Sequence, residues 1–167
     1  MARAQSLDEL LDFESRWDEA LRAVLLPLGL PVHTAFDAEK LEPPYIEAIF
    51  TFLGEYAAGG GSMPQARGGA QPTTFNQVSY RGRVQIQLHV HRGGHTPAQV
   101  SAWRGGVRRI FMPAPPHALN PITLPYYEVV SVTIPEGDRL TDEGRDLDIV
   151  QFRYEFVFGI LADSWPV

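Results

Sequence analysis

Between residues 81 and 91 the chain reads RGRVQIQLHVH, in which Val84, Ile86, Leu88 and Val90 alternate with Arg83, Gln85, Gln87, His89 and His91. Successive strand side chains point to opposite faces. The register therefore predicts a strand with one apolar face for the core and one face of long hydrogen-bonding groups without carboxylates. That polar face can meet water, a partner subunit or a ligand without burying unpaired polar atoms. A second alternating run, IVQFRYEFVF at 149–158, sets Val150, Phe152, Tyr154, Phe156 and Phe158 against Gln151, Arg153, Glu155 and Val157. Two further runs rich in aromatic and branched residues, YIEAIFTFL at 45–53 and YYEVVSVTI at 126–134, predict strands, the first paired with the 81–91 strand. A short extended piece is expected at 32–36.

Helical spacing replaces alternation in two places. Ser6 and Glu9 form a capping-box pattern, and Leu7, Leu10, Leu11, Trp17, Leu21, Val24, Leu25 and Leu28 recur at threes and fours up to Pro27 and Gly29. The spacing predicts one amphipathic helix from Ser6, lying on something, with Asp8, Asp12, Glu19 and Arg22 mostly outward. A second helix is predicted from Pro97 to about Met112, with Val100, Trp103, Val107, Ile110 and Phe111 as its stripe. Gly105-Gly106 weakens it by about 1 kcal/mol per glycine.

Three stretches read as connections. The glycine-rich segment 55–74 has nothing to bury, so it is either a hairpin tip or an interaction arm that orders on binding. The proline-rich stretch after Met112 reads as extended. The acidic stretch 135–147 reads as a solvated hairpin loop. The order of helix, two or three strands, helix, two strands gives an α+β fold: a mainly antiparallel four- to five-stranded sheet with an N-terminal helix and one central helix packed on it, a single domain over 1–167.

At 167 residues the chain can bury a substantial core, and it has no cysteine, which removes zinc ribbons, thiol catalysis and disulfides and fits a reducing compartment. A net charge of −6 argues against a general nucleic-acid binder. No apolar run approaches a bilayer span and the amino terminus is acidic, so the expectation is a soluble, unexported protein with no membrane partner.

Candidate chemistry is sparse. His89 and His91, with His95 beyond, could hold a metal as two histidines on one strand face do in cupin-like barrels, but polar alternation explains the first two by itself. There is no nucleophile elbow, Walker loop or dinucleotide fingerprint. GGGSM at 59–63 is not followed by a helix. Asp138, Asp142, Glu143, Asp146 and Asp148 depart from calcium-loop spacing. The expectation is no enzyme, no cofactor and no metal. The arginines cluster mid-chain, at Arg81, Arg83, Arg92, Arg104, Arg108 and Arg109, while acids dominate the first helix and residues 136–148. Either a head-to-tail ring pairs the two sets, or they are an ordinary mixed surface.

The PPYI at 43–46, the glycine-rich loop, the YRGRVQI strand opening at 80–86, the helix after Pro97 and the final QFRYEFVF occur in this order. In these features the chain resembles the tail terminator (tail completion) proteins of long-tailed bacteriophages and tail-like particles. The resemblance implies a small α+β virion structural protein without a catalytic site. It would form a homo-oligomeric, hexameric ring that caps the tail tube and joins it to the head connector, assembled in the host cytoplasm into the virion tail. Its partners would be the tail tube protein and the head–tail connector protein, with no specific nucleic acid, although a ring leaves room for DNA to pass. The candidate subunit or tube interface is Arg67 in the glycine-rich arm, Arg81, Arg83, Gln85, Gln87 and His89 on the polar strand face, and Arg108 and Arg109 on the helix. The alternatives are another neck or minor tail protein and, in a different class, a small cupin-like metal-dependent enzyme.

Overall fold

The computed structural model describes residues 3–56, 74–111, 122, 124–133, 137–142 and 147–167. Most of the glycine-rich segment (57–73, with Arg67) and of the proline-rich connector, together with residues 134–136 and 143–146, lies outside the described residues.

Described elements follow the order α1 (Leu7–Leu11), α2 (Phe13–Leu25), a 3-10 turn (Leu26–Leu28), β1 (Val32–Thr34), β2 (Tyr45–Tyr56), β3 (Thr74–His91), α3 (Pro97–Phe111), β4 (Tyr127–Thr133), β5 (Gly137–Asp142), β6 (Leu147–Leu161) and a closing 3-10 turn, Ala162–Ser164. The fold is α+β, as the patterning predicts. Its sheet runs β1-β2-β3-β6-β4, with β5 on β6 beside β4. All pairings are antiparallel except β1 with β2, which is parallel.

Two expectations need correction. The predicted single first helix is two, because Asp12 leaves helical geometry (φ −78°, ψ 69°) and its side chain accepts from the Ser15 amide, capping a new helix. The break changes which residues face the sheet. Leu10, Phe13, Trp17, Leu21 and Leu25 are buried, while Leu7 and Leu11, assigned to the buried stripe by spacing, are 49% and 42% exposed. The acidic stretch 135–147 is also not simply a loop. Its residues 137–142 form β5, from Gly137 opposite Phe152 to Asp142 opposite Leu147. The first half of β6 has a free edge there, because β4 pairs only with residues 155–160, and backbone pairing along an open edge outweighs the strand-poor composition of GDRLTD.

The core lies between the sheet and the helices. Val84, Ile86, Leu88 and Val90 are 0–2% exposed, so the central alternation is read correctly. Trp17 stacks flat on Phe50 (4.8 Å, 3°) and meets Phe156 and Phe158 at an angle, while Phe111 of α3 stacks on Tyr154 at 4.5 Å. Burial pushes the Tyr154 phenol up to about 12. Gly106, expected only to weaken α3, has a packing role. A Cβ there would lie 2.6 Å from Leu28 Cδ2, so the glycine lets the 3-10 turn sit against the helix. Bases end α3 at Arg108 and Arg109, where the helix dipole favours them.

Candidate interface on the polar face of the sheet

Strand pairing arranges the polar face in cross-strand rows. Across β2, β3 and β6 these are Thr51, Arg83 and Glu155; Ile49, Gln85 and Arg153; Glu47, Gln87 and Gln151; and Tyr45, His89 and Ile149. Directly opposed side chains on one face are close enough to interact, so register fixes which polar groups meet. In the first row Arg83 Nη2 donates to Glu155 Oε1 at 3.0 Å, an exposed pair that contributes little stability. In the third row the Gln87 and Gln151 amides meet at 2.8 Å. With its oxygen turned to Arg153, Gln151 accepts from Nε and Nη2 at 2.8 and 2.7 Å. Gln151 and Glu155 thus bind polar groups of β3 within the chain, and Arg153 holds Gln151.

The fourth row departs from a wholly wet face. His89 is only 7% exposed, and its ring lies flat on Tyr45 at 4.4 Å. Burial holds its pKa below the usual histidine value, with His33 acting the same way and Glu47 opposing both. A neutral imidazole stacked on a phenol ring is part of the packing. Gln151 is likewise buried, and Gln85 and Gln87 are half-buried, while Arg81, Arg83, Arg153 and His91 are exposed.

The predicted interface residues therefore do not form one patch. Arg81, Arg83, Gln85, Gln87 and His89 share β3. Arg108 and Arg109 belong to α3 on the opposite side of the sheet, where the Arg108 guanidinium lies 5.7 Å from the Phe152 ring centroid. Arg67 lies outside the described residues. The sequence assigns no site to Tyr45 and Glu47 of β2, nor to Gln151, Arg153 and Glu155. The alternation places the last three on the polar face, but only register puts them opposite Gln87, Gln85 and Arg83.

A cleft of about 490 Å³ opens between α3 and the adjoining ends of β3 and β6, bordered by His91, His95, Arg104, Arg108 and Asp148. His95 rests edge-on against Trp103 at 5.0 Å, and Arg92 Nε lies 3.7 Å from Asp148 Oδ1. His91 and His95 thus reach the cleft whereas His89 lies against Tyr45, so the three histidines do not converge. Among the described residues no group of three or more histidine or acidic side chains could hold a metal ion. No described helix is long and apolar enough to cross a membrane.

No protein-family model matches the chain, and no curated protein matches it in sequence. Among solved structures, the chain is similar to a component of the virion of the native gene transfer agent (GTA) particle, at 14% identity and a TM-score of 0.54, covering 88% of this chain and 94% of that one. Another solved structure matches at 16% identity and a TM-score of 0.46, covering 94% of this chain and 96% of that one. With the virion component, at 14% identity, the likeness is one of fold, shared over nearly the whole of both chains.

Proposed function

We propose that the protein is a structural component of a phage-like particle, a tail terminator that forms a homo-oligomeric, hexameric ring, caps the tail tube and joins it to the head connector. It acts by shape and polar complementarity, without a catalytic site or bound cofactor. The observation that carries this reading is the fold shared with a virion component over 94% of that chain's length. The order of motifs that resembles tail terminators, and a β3 face offering Arg81, Arg83, Gln85 and Gln87 beside the buried His89, agree with it. Its partners are then further copies of itself, the tail tube protein and the connector protein, and its place is the virion tail, assembled in the host cytoplasm. Arg67 would serve the arm, and Arg108 and Arg109 a separate contact on the helical side.

Removing the protein from the producing cell tests this. A tube without its terminator should fail to join heads and should show uncontrolled length by electron microscopy, with wild-type protein restoring joined particles. Labelled protein should lie at the head–tail junction. Normal joined particles in its absence would refute the reading, and a label elsewhere on the tail would favour another neck or minor tail protein.

A further inference from the structure

We propose that α1 of one copy docks into the cleft beside α3 of the next copy, an inference that deepens the ring reading and rests on it. The first surface is α1 itself. Its Leu7 and Leu11 are 49% and 42% exposed although the helix buries Leu10. They stand one turn apart as an apolar stripe, and Asp8 and Asp12, both exposed, run beside it at the same spacing. The capping break at Asp12 creates this surface by turning α2 to bury Phe13 instead.

The second surface is the cleft. Val90, Val100 and Val150 give it apolar wall, and Arg104 and Arg108, exposed and four residues apart on α3, give it a basic rim. Asp148 in the same lining lies 3.7 Å from Arg92, so an arginine already stands beside that carboxylate. An apolar stripe flanked by two carboxylates at one-turn spacing meets an apolar wall flanked by two guanidiniums at one-turn spacing. Burial of the leucines and paired charge favour the same contact.

The two surfaces lie at opposite ends of β6. The cleft takes Asp148 and Val150 from its start, whereas α1 is fixed near its end: the Tyr127 hydroxyl donates to the Leu10 carbonyl, and Tyr127 pairs with Ile160. A strand rises roughly 3.3 Å per residue, which puts Val150 and Ile160 on the order of 30 Å apart. A chain therefore cannot fill its own cleft. Contact between unlike surfaces of successive copies is heterologous and propagates until the rotation closes a ring.

The test uses the full chain, a Leu7→Glu/Leu11→Glu variant and an Arg104→Glu/Arg108→Glu variant, with mass read by native mass spectrometry and sedimentation and folding by circular dichroism. Arg104→Glu alone replaces the second variant if loss of Arg108 from the Phe152 ring disturbs folding. Wild type should form a ring larger than a dimer, and each variant alone should be monomeric. An equimolar mixture should give a 1:1 heterodimer that grows no further, because each partner retains one working surface. Rings of wild-type size from both variants would overturn the docking contact and leave the terminator reading standing. A mixture that stays monomeric, or a wild-type chain that stays monomeric or stops at a dimer, would also overturn it. Failure of the terminator reading shows separately, as normal joined particles in cells lacking the protein.

Discussion

Gly82 occupies a core-facing position in the middle of β3, where a strand ordinarily carries a branched or aromatic side chain. A Cβ there would lie 2.2 Å from Phe50 Cε2 and 2.6 Å from Cζ, against the 3.4–4 Å of ordinary contact. In Gly82→Ala the Phe50 ring must retreat by more than an ångström. One face of the ring lies flat on Trp17 at 4.8 Å, and Trp17 is fully buried with Phe156 and Phe158 against it, so the retreat disturbs a closed stack. Overpacking of this kind costs about 1–3 kcal/mol. Restricting the unfolded chain by replacing glycine returns about 0.4–1 kcal/mol. The expected net loss is about 1–2 kcal/mol, a fall in Tm of about 2–8 °C for a chain of this size. Calorimetry or thermal circular dichroism reads this directly. A cycle with Phe50→Leu identifies the cause: the smaller side chain makes room, so the double variant should lose less than the sum of the single losses. A Gly82→Ala protein as stable as wild type, or strictly additive losses, would refute the packing argument.

Asp12→Ala removes the cap on the Ser15 amide and should cost about 1 kcal/mol in denaturant unfolding, whereas Asp12→Asn should retain most of it; equal losses would show that the break does not depend on that cap. Because His89 is held below its ordinary value of 6.5, the unfolded chain takes up its proton first. The contribution of neutral His89 is therefore fully present above about pH 6.5 and declines as pH falls below it, with a slope of at most about 1.4 kcal/mol per pH unit. His89→Gln should flatten stability against pH in that window, and an unchanged profile would assign the slope to other groups. Arg83→Glu, at a pair whose side chains are 46% and 40% exposed, should change unfolding stability by less than about 1 kcal/mol while lowering ring yield in sedimentation; undisturbed assembly would remove Arg83 from the subunit contact.

Period-2 alternation made the central strand legible, since a one-residue slip would expose Val84, Ile86, Leu88 and Val90 together, and the same holds for Phe152 to Phe158 on β6. Helical spacing identified α3 and the later part of the first helical segment for the same reason. It failed at Leu7 and Leu11, because a periodicity argument carries one phase through a break that a single aspartate cap resets. Strand composition failed at residues 137–142, whose pairing comes from an open edge on β6, a property of the neighbouring strand.

The polar face divides along the same line. Sequence by itself determined that Arg83, Gln85, Gln87 and His89 share one side of a strand, because side-chain direction is a local consequence of backbone geometry. Only the tertiary structure decided that Arg83 meets Glu155, that Gln87 meets Gln151, that His89 is covered by Tyr45, and that Arg108 and Arg109 face away from them all. Those outcomes depend on register between strands distant in the chain and on which side of the sheet each helix packs. Both are set by the combined burial of Trp17, Phe50, Phe111, Tyr154, Phe156 and Phe158, which no local window of sequence contains.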